Sequence, residues 1–152
     1  YRKNADLELS FDGADPGQAE SRLFDLHKMR FVGNVPDGLS DFLGARPNGS
    51  PCECLQLSVH LDRRLIAASF IALGERACSS IYAVFDPEFS CRRLGIFTML
   101  AELEFAKSQG LQFYYSGYAT VEKSCYDYKK EFKALQYYDW EGCWLPVAQL
   151  HA

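Results

Sequence analysis

Asp86 closes a run of strand character, Ser79-Ser80-Ile81-Tyr82-Ala83-Val84-Phe85, and Pro87 follows it at once. Ser90 then opens a stretch of helical spacing that carries Leu94-Gly95 near its start. A strand delivered to a helix start leaves backbone N–H groups unpaired, here those of Leu94 and Gly95. Such groups can hold an anion or an oxyanion. Gly95 lets a ligand or a second backbone come close. An ordinary strand-to-helix turn has the same pattern, and the spacing alone leaves both readings open. Asp86 also reads two ways: a carboxylate that orients an amine or a cation, or a turn residue bonding its own backbone.

Other chemistries find less support. No Ser-His-Asp or Cys-His arrangement is recognisable. Cysteines stand at 52, 54, 78, 91, 125 and 143 without a C-x-x-C pair, and His27, His60 and His151 are scattered. Zinc sites use closely paired ligands, so no metal is expected. Reduced thiols in the cytoplasm are the default for such cysteines. The 20 acidic residues outnumber the 16 basic ones, giving a net charge of −4. That balance argues against a broad nucleic-acid footprint but permits a grip on one end of an RNA. No signal peptide is visible, and no apolar run approaches a membrane span. Nine Tyr, eleven Phe and two Trp suit a ligand cleft, and equally a half-buried sheet.

The elements that must position these residues follow from the hydrophobic pattern. With 152 residues, 48% of them hydrophobic, the chain fits one domain over 1–152. Residues 7–11 read as a strand and 12–17 as a turn-rich patch. Residues 19–31 read as a helix with Leu23, Leu26 and Phe31 inward. A short helix over 39–43 and a loop over 46–51 follow. Three strands come next: 54–61 with alternating apolar residues, 65–73 of central character, and 79–85. The long helix is expected from its N-cap Ser90 to about residue 109, with Ile96, Met99, Leu100, Leu103 and Ala106 on its inner side. Lys107 and Gly110 suit its C-terminal end. A strand over 111–118, a helix over 122–132 and a closing strand over 140–147 complete the chain. A meander feeding one strand-helix-strand crossover predicts a mixed α/β (α+β) sheet flanked by helices, with a parallel pair at the crossover. This is the layout of the GNAT-like acyltransferase fold.

Several spaced motifs carry a more specific likeness. Ser79-Ser80-Ile81-Tyr82, Phe85-Asp86-Pro87, Phe89-Ser90 and Leu94-Gly95 resemble the SSVY…YDP..S..SLG signature of arginyl-tRNA–protein transferases. Glu102-Leu103-Glu104, the run from Tyr114 through Tyr115, Ser116 and Gly117 to Tyr118, Tyr128-Lys129 and Trp144-Leu145-Pro146 continue the match in order. The likeness spans about residues 5–147. Phe24 and His27 stand where the family helix carries Tyr-x-x-Tyr. Lys123-Ser124 replaces a Cys-Pro, and Tyr126 replaces a Met. Full-length members carry an N-terminal cysteine-rich module, which is absent from these residues.

The resemblance implies aminolysis. A protein α-amino group, which titrates near pH ~8, attacks the ester carbonyl of an aminoacyl-tRNA and the ribose hydroxyl leaves. The ester is already activated, so no cofactor is implied; aminoacyl-tRNA is a co-substrate. The partners are charged tRNA and a protein N-terminus, one beginning with Asp or Glu, and no membrane. Leu94 and Gly95 would hold the ester carbonyl or the terminal ribose, and Asp86 would orient the amine. Tyr128 would serve as a donor beside the leaving oxygen. Tyr82, Tyr115 and Tyr118 would line a cleft with Gly117, and Lys129 would attract an acidic acceptor or a phosphate. Phe24 and His27 occupy the substrate-binding helix, with His27 a candidate base. An arginine donor needs a carboxylate in its pocket, for which Asp86 and Glu104 are candidates; a leucine donor needs an apolar one. Arg92 and Arg93 could touch tRNA phosphates. Two other readings remain: a coenzyme-A-dependent N-acetyltransferase of the same fold, which the thin glycine content near Gly95 disfavours, and a non-catalytic module binding protein N-termini.

Overall fold

Two non-glycine residues at positive φ, Asp62 (49°) and Arg63 (67°), turn the chain between two of its long strands. A two-residue turn of this kind matches the right-handed twist of the strands it joins. The computed structural model describes residues 2–31, 33, 35–49, 52–124 and 126–148. Cys125, His151 and the end of the 46–51 loop lie outside the described residues. Two compact units follow one another along the chain, Tyr1–Tyr115 and Ser116–Ala152.

The first unit holds β1 (Glu8–Gly13), α1 (Gln18–Lys28), α2 (Ser40–Leu43), β2 (Glu53–Leu61), β3 (Arg64–Leu73), β4 (Ala77–Phe85), α3 (Leu94–Ser108) and β5 (Phe113–Tyr115). Its sheet runs β1-β2-β3-β4-β5. The first three pairings are antiparallel and β4–β5 is parallel. This is the expected mixed sheet flanked by helices. On one face Leu23, Phe24 and Leu39 pack with Cys54, Ala68, Phe70 and Val84. On the other Leu94, Phe97 and Ala101 of α3 pack with Leu57, Val59, Ile66 and Ala67. Truncating a side chain as buried as Phe24 would cost about 3–5 kcal/mol.

Two bulges set which residues reach which face. Val59 pairs with Ala67 but His60 with Leu65, so Ile66 is extra. Phe70 pairs with Tyr82 but Ile71 with Ser80, so Ile81 is extra in β4. The parallel ladder pairs only Ala77, Cys78 and Ser79 with Phe113, Tyr114 and Tyr115. β4 then runs on over 80–85 without β5 beside it.

Several sequence expectations are corrected. The long helix begins at Leu94, not at Ser90, which sits inside a 3-10 helix, Pro87–Arg92. The residue capping α3 is Arg93, at φ 54° and ψ 48°. The inward face of α1 is Leu23, Phe24 and His27, while Leu26 is exposed. The strand expected over 111–118 pairs only at Phe113–Tyr115. In α3 the buried positions are Leu94, Phe97, Thr98, Met99, Ala101, Glu102 and Ala106, so the stripe is rotated from the one the spacing suggested. The C-terminal end of α3 is as expected: Gly110 takes φ 70° and Leu111 N–H returns to Ala106 O at 2.9 Å.

The second unit has a 3-10 helix, Asp127–Glu131, in place of the expected helix over 122–132. The Asp127 carboxylate accepts from the Ser124 N–H (3.2 Å) and pairs with Lys130 (2.8 Å). Such local bonds compete with continued helix. The expected strand over 140–147 is confined to β7 (Trp144–Pro146), which pairs antiparallel with β6 (Gln136–Tyr138) in a separate two-stranded sheet.

Candidate functional site

The junction from β4 to α3 is built by Asp86. Its Oδ1 accepts the Glu88 N–H at 3.0 Å and so caps the 3-10 helix, with Pro87 next in line. Its Oδ2 receives the Arg64 guanidinium at 2.6 Å. Arg64 also reaches Glu88 at 3.1 Å and lies over the Phe89 ring. Asp86 itself is 4% exposed, and its N–H donates to Ile66 O (2.9 Å), tying the junction to β3. The carboxylate thus does what a turn residue does and also holds an arginine of the preceding strand.

Beyond the 3-10 helix the chain turns through left-handed Arg93 into α3, and Ile96 and Phe97 N–H both return to Arg93 O (3.1 Å each). Leu94 and Gly95 thus form the first turn, where N–H groups lack intrahelical acceptors. Leu94 buries its side chain, so only its backbone could serve a ligand. The chain's N-terminal segment clasps this approach. Arg92 meets Asp6 through two 2.8 Å bonds, Asn4 Nδ2 donates to Arg92 O at 3.1 Å, and the Lys3 ammonium donates to Cys91 O. The Arg92 side chain is therefore engaged within the fold, while Arg93 is exposed.

On the α1 face the expected residues gather around Tyr82. Its ring stacks on Phe42 at 3.7 Å and lies 6.2 Å from both Phe24 and His27. His27 is 4% exposed and caged by Phe31, Tyr82 and Phe85. Burial, then the nearby Arg30 charge, lowers its pKa to about 4. It is held as neutral imidazole, which places it with the structural side chains of this face rather than exposed to a substrate.

On the α3 face lies a buried polar cluster that the sequence reading did not single out. Glu102 is 1% exposed, and Tyr114 Oη donates to it at 2.5 Å. Burial and then the Glu102 charge push the Tyr114 phenol far above its ordinary value. The same two causes push the Cys78 thiol up to about 11. Glu104, the carboxylate singled out from sequence, is exposed on α3. The signal for Glu102 was present: Thr98, Glu102 and Ala106 are four apart and share the buried side of the helix.

Tyr115 is exposed at the end of β5. The remaining expected residues belong to the second unit. Gly117 takes φ 77°, Tyr118 is 84% exposed and Tyr128 is half-buried. Lys129 is buried, and its ammonium donates to Ser116 O (2.6 Å) and Tyr118 O (3.0 Å). Its charge fastens the 116–118 loop around Gly117. Among the described residues no helix is long and apolar enough to cross a membrane, and no three His, Cys, Asp or Glu gather as a metal site.

The family described as "Arginine-tRNA-protein transferase, C terminus" matches residues 22–139. An aspartate/glutamate leucyltransferase of Xanthomonas campestris pv. campestris (strain B100) is 33% identical over 158 aligned residues, covering 97% of this chain and 62% of the relative. One from Xanthomonas oryzae pv. oryzae is 29% identical over 145 residues, covering 90% and 58%. One from Acinetobacter baumannii (strain AYE) is 32% identical over 80 residues, covering 53% and 30%. The chain spans 62% or less of the length of each of these relatives.

Proposed function

The chain belongs to the arginine-tRNA–protein transferase family, matching its C-terminal part, and from that premise we propose that it carries the aminoacyl-transfer site of such an enzyme. In this reading the acceptor's α-amino nitrogen bonds to the ester carbonyl carbon of aminoacyl-tRNA. The bond from that carbon to the ribose oxygen breaks, and the amine proton ends on the released hydroxyl. The enzyme must align the two substrates and stabilise the oxyanion; it needs no nucleophile or cofactor of its own. The observation carrying the proposal is the β4–α3 junction, where the first-turn N–H groups of Leu94 and Gly95 stand beyond left-handed Arg93. Asp86 contributes by holding Arg64 and the 3-10 helix, and so the direction of that turn.

Leucine is the donor we favour. The side chains around Tyr82 are Phe24, Phe42 and neutral His27, while Asp86 is already paired and Glu104 is exposed. Among Phe24, His27, Phe42 and Tyr82 a guanidinium would find no carboxylate to pair with. The acceptors we propose begin with Asp or Glu, as the names of the relatives suggest, and the compartment is the cytoplasm, where charged tRNA is made.

The test is transfer of labelled Leu or Arg from charged tRNA to peptides beginning with Asp, Glu or Ala. Leucine transfer confined to the acidic peptides supports the reading. Arginine transfer alone would reverse the donor assignment, and no transfer from either tRNA would remove the activity from this chain. Acetyl-CoA should leave the Tm unchanged, because a ligand raises it only by binding the native state.

A further inference from the structure

The turn between β6 and β7 presents three aromatic rings. Tyr138 and Trp144 are cross-strand partners with ring centroids 5.3 Å apart. Trp140 stands edge-on to Tyr138 at 5.5 Å and 76°. Trp140 is 81% exposed and takes φ 65°, a left-handed conformation that a bulky side chain enters at a cost. The indole is not what closes this turn. Asp139 Oδ1 does so by accepting the N–H groups of Glu141 (2.8 Å) and Cys143 (2.9 Å). One residue therefore combines backbone strain with an exposed apolar ring, a combination characteristic of binding sites.

Charge indicates what such a surface fits. Residues 134–147 contain Asp139 and Glu141 and no Lys or Arg. The two N–H groups bonded to Asp139 hold its carboxyl below the usual range, so it stays ionised. Ring faces beside carboxylates attract cations, above all the flat guanidinium. The same carboxylates repel phosphates, so a platform for stacking nucleobases would sit in an unfavourable field. We propose that the 138–144 hairpin docks a basic segment of a protein partner, with an Arg or Lys side chain seated on Trp140 and Tyr138 beside Asp139 and Glu141.

The chain has only two tryptophans, Trp140 and Trp144, so its intrinsic emission reports on this hairpin. The full chain is titrated with a short Arg-containing peptide, with its Arg→Gln counterpart and with an oligoadenylate, at low and high salt. A saturable emission change with the Arg peptide alone, weakened by salt, is expected. Trp140→Gly, read by Trp144, should weaken binding about two- to fivefold, the scale of an exposed cation–π contact. Its Tm should hold or rise, because glycine accepts the positive φ. Equal response to the Gln peptide, a stronger response to the oligoadenylate, or unchanged affinity in Trp140→Gly would overturn the proposal. Concentration-dependent dimerisation through the hairpin would also overturn it.

Discussion

His27 on α1 meets the main chain of Phe85 at the end of β4: its Nδ1 lies 3.3 Å from the Phe85 carbonyl oxygen and 3.1 Å from the Phe85 nitrogen. On its other side Nε2 lies 3.3 Å from the Arg30 guanidinium. A neutral imidazole has one N–H. Its one bare nitrogen accepts either from the Phe85 N–H at Nδ1 or, at Nε2, from Arg30, which can only donate. A charged His27 would place a second cation against Arg30.

Acid should therefore unfold this protein partly through His27. Its folded pKa, about 4, lies below the ordinary 6.5, so the unfolded chain takes the proton first. The stability is complete above pH ~6.5 and drains as pH falls toward 4, by up to about 3 kcal/mol at 1.36 kcal/mol per unit. Urea midpoints at pH 7 and 4.5 check this. Replacing His27 with Gln should shrink the difference between them; an unchanged difference would assign the acid loss to other groups.

Tyr114→Phe should cost about 1–3 kcal/mol, because buried Glu102 loses a hydrogen-bond donor. Tyr114→Phe with Glu102→Leu should be milder than the sum of the single changes, since the pair leaves together. Chemical denaturation of the cycle measures the coupling. Additive losses would show that the phenol and carboxylate act independently.

Asp86→Ala removes a cap worth about 1 kcal/mol and leaves Arg64 with its exposed partner Glu88. Asp86→Asn keeps the capping oxygen and loses the ion pair. Transfer activity should fall in both, further in the alanine variant, if Asp86 works by holding the junction. Loss of kcat in Asp86→Asn equal to that in Asp86→Ala, at unchanged Tm, would instead mark the carboxylate charge as acting in the chemistry.

Lys129→Met deletes two charge-assisted bonds to Ser116 O and Tyr118 O, at about 1.5–3 kcal/mol each for hydrogen bonds to charged groups. Hydrogen exchange in 116–124 should rise while exchange in β2 and β3 stays unchanged. Uniform protection in the variant would exclude a fastening role.

The sheet was legible because its signals are local and repeated. Alternation through Leu55, Leu57 and Val59, the apolar run of β3 and the Asp86-Pro87 stop each act within a few residues. Arg93 was not legible: nothing in its side chain favours positive φ, and the junction's bonds impose it. The helix over 122–132 failed for a related reason, since Asp127 spends its carboxylate on Ser124. At the candidate site, sequence identified Asp86, Tyr82 and the Leu94-Gly95 turn but not their partners. Arg64 lies 22 residues from Asp86, and Glu102 was obscured by the more obvious apolar spacing around it.

Ile81 lets a single strand follow two addressing schemes. Before it, Cys78 and Ser80 are directed to the side of Glu102; after it, Tyr82 and Val84 are directed to the side of Phe24. Deleting that one isoleucine would merge the two schemes into plain alternation: Ser80 would still oppose Ile71 and Tyr82 would still oppose Phe70, so each face would keep its residues and only the local kink would be lost.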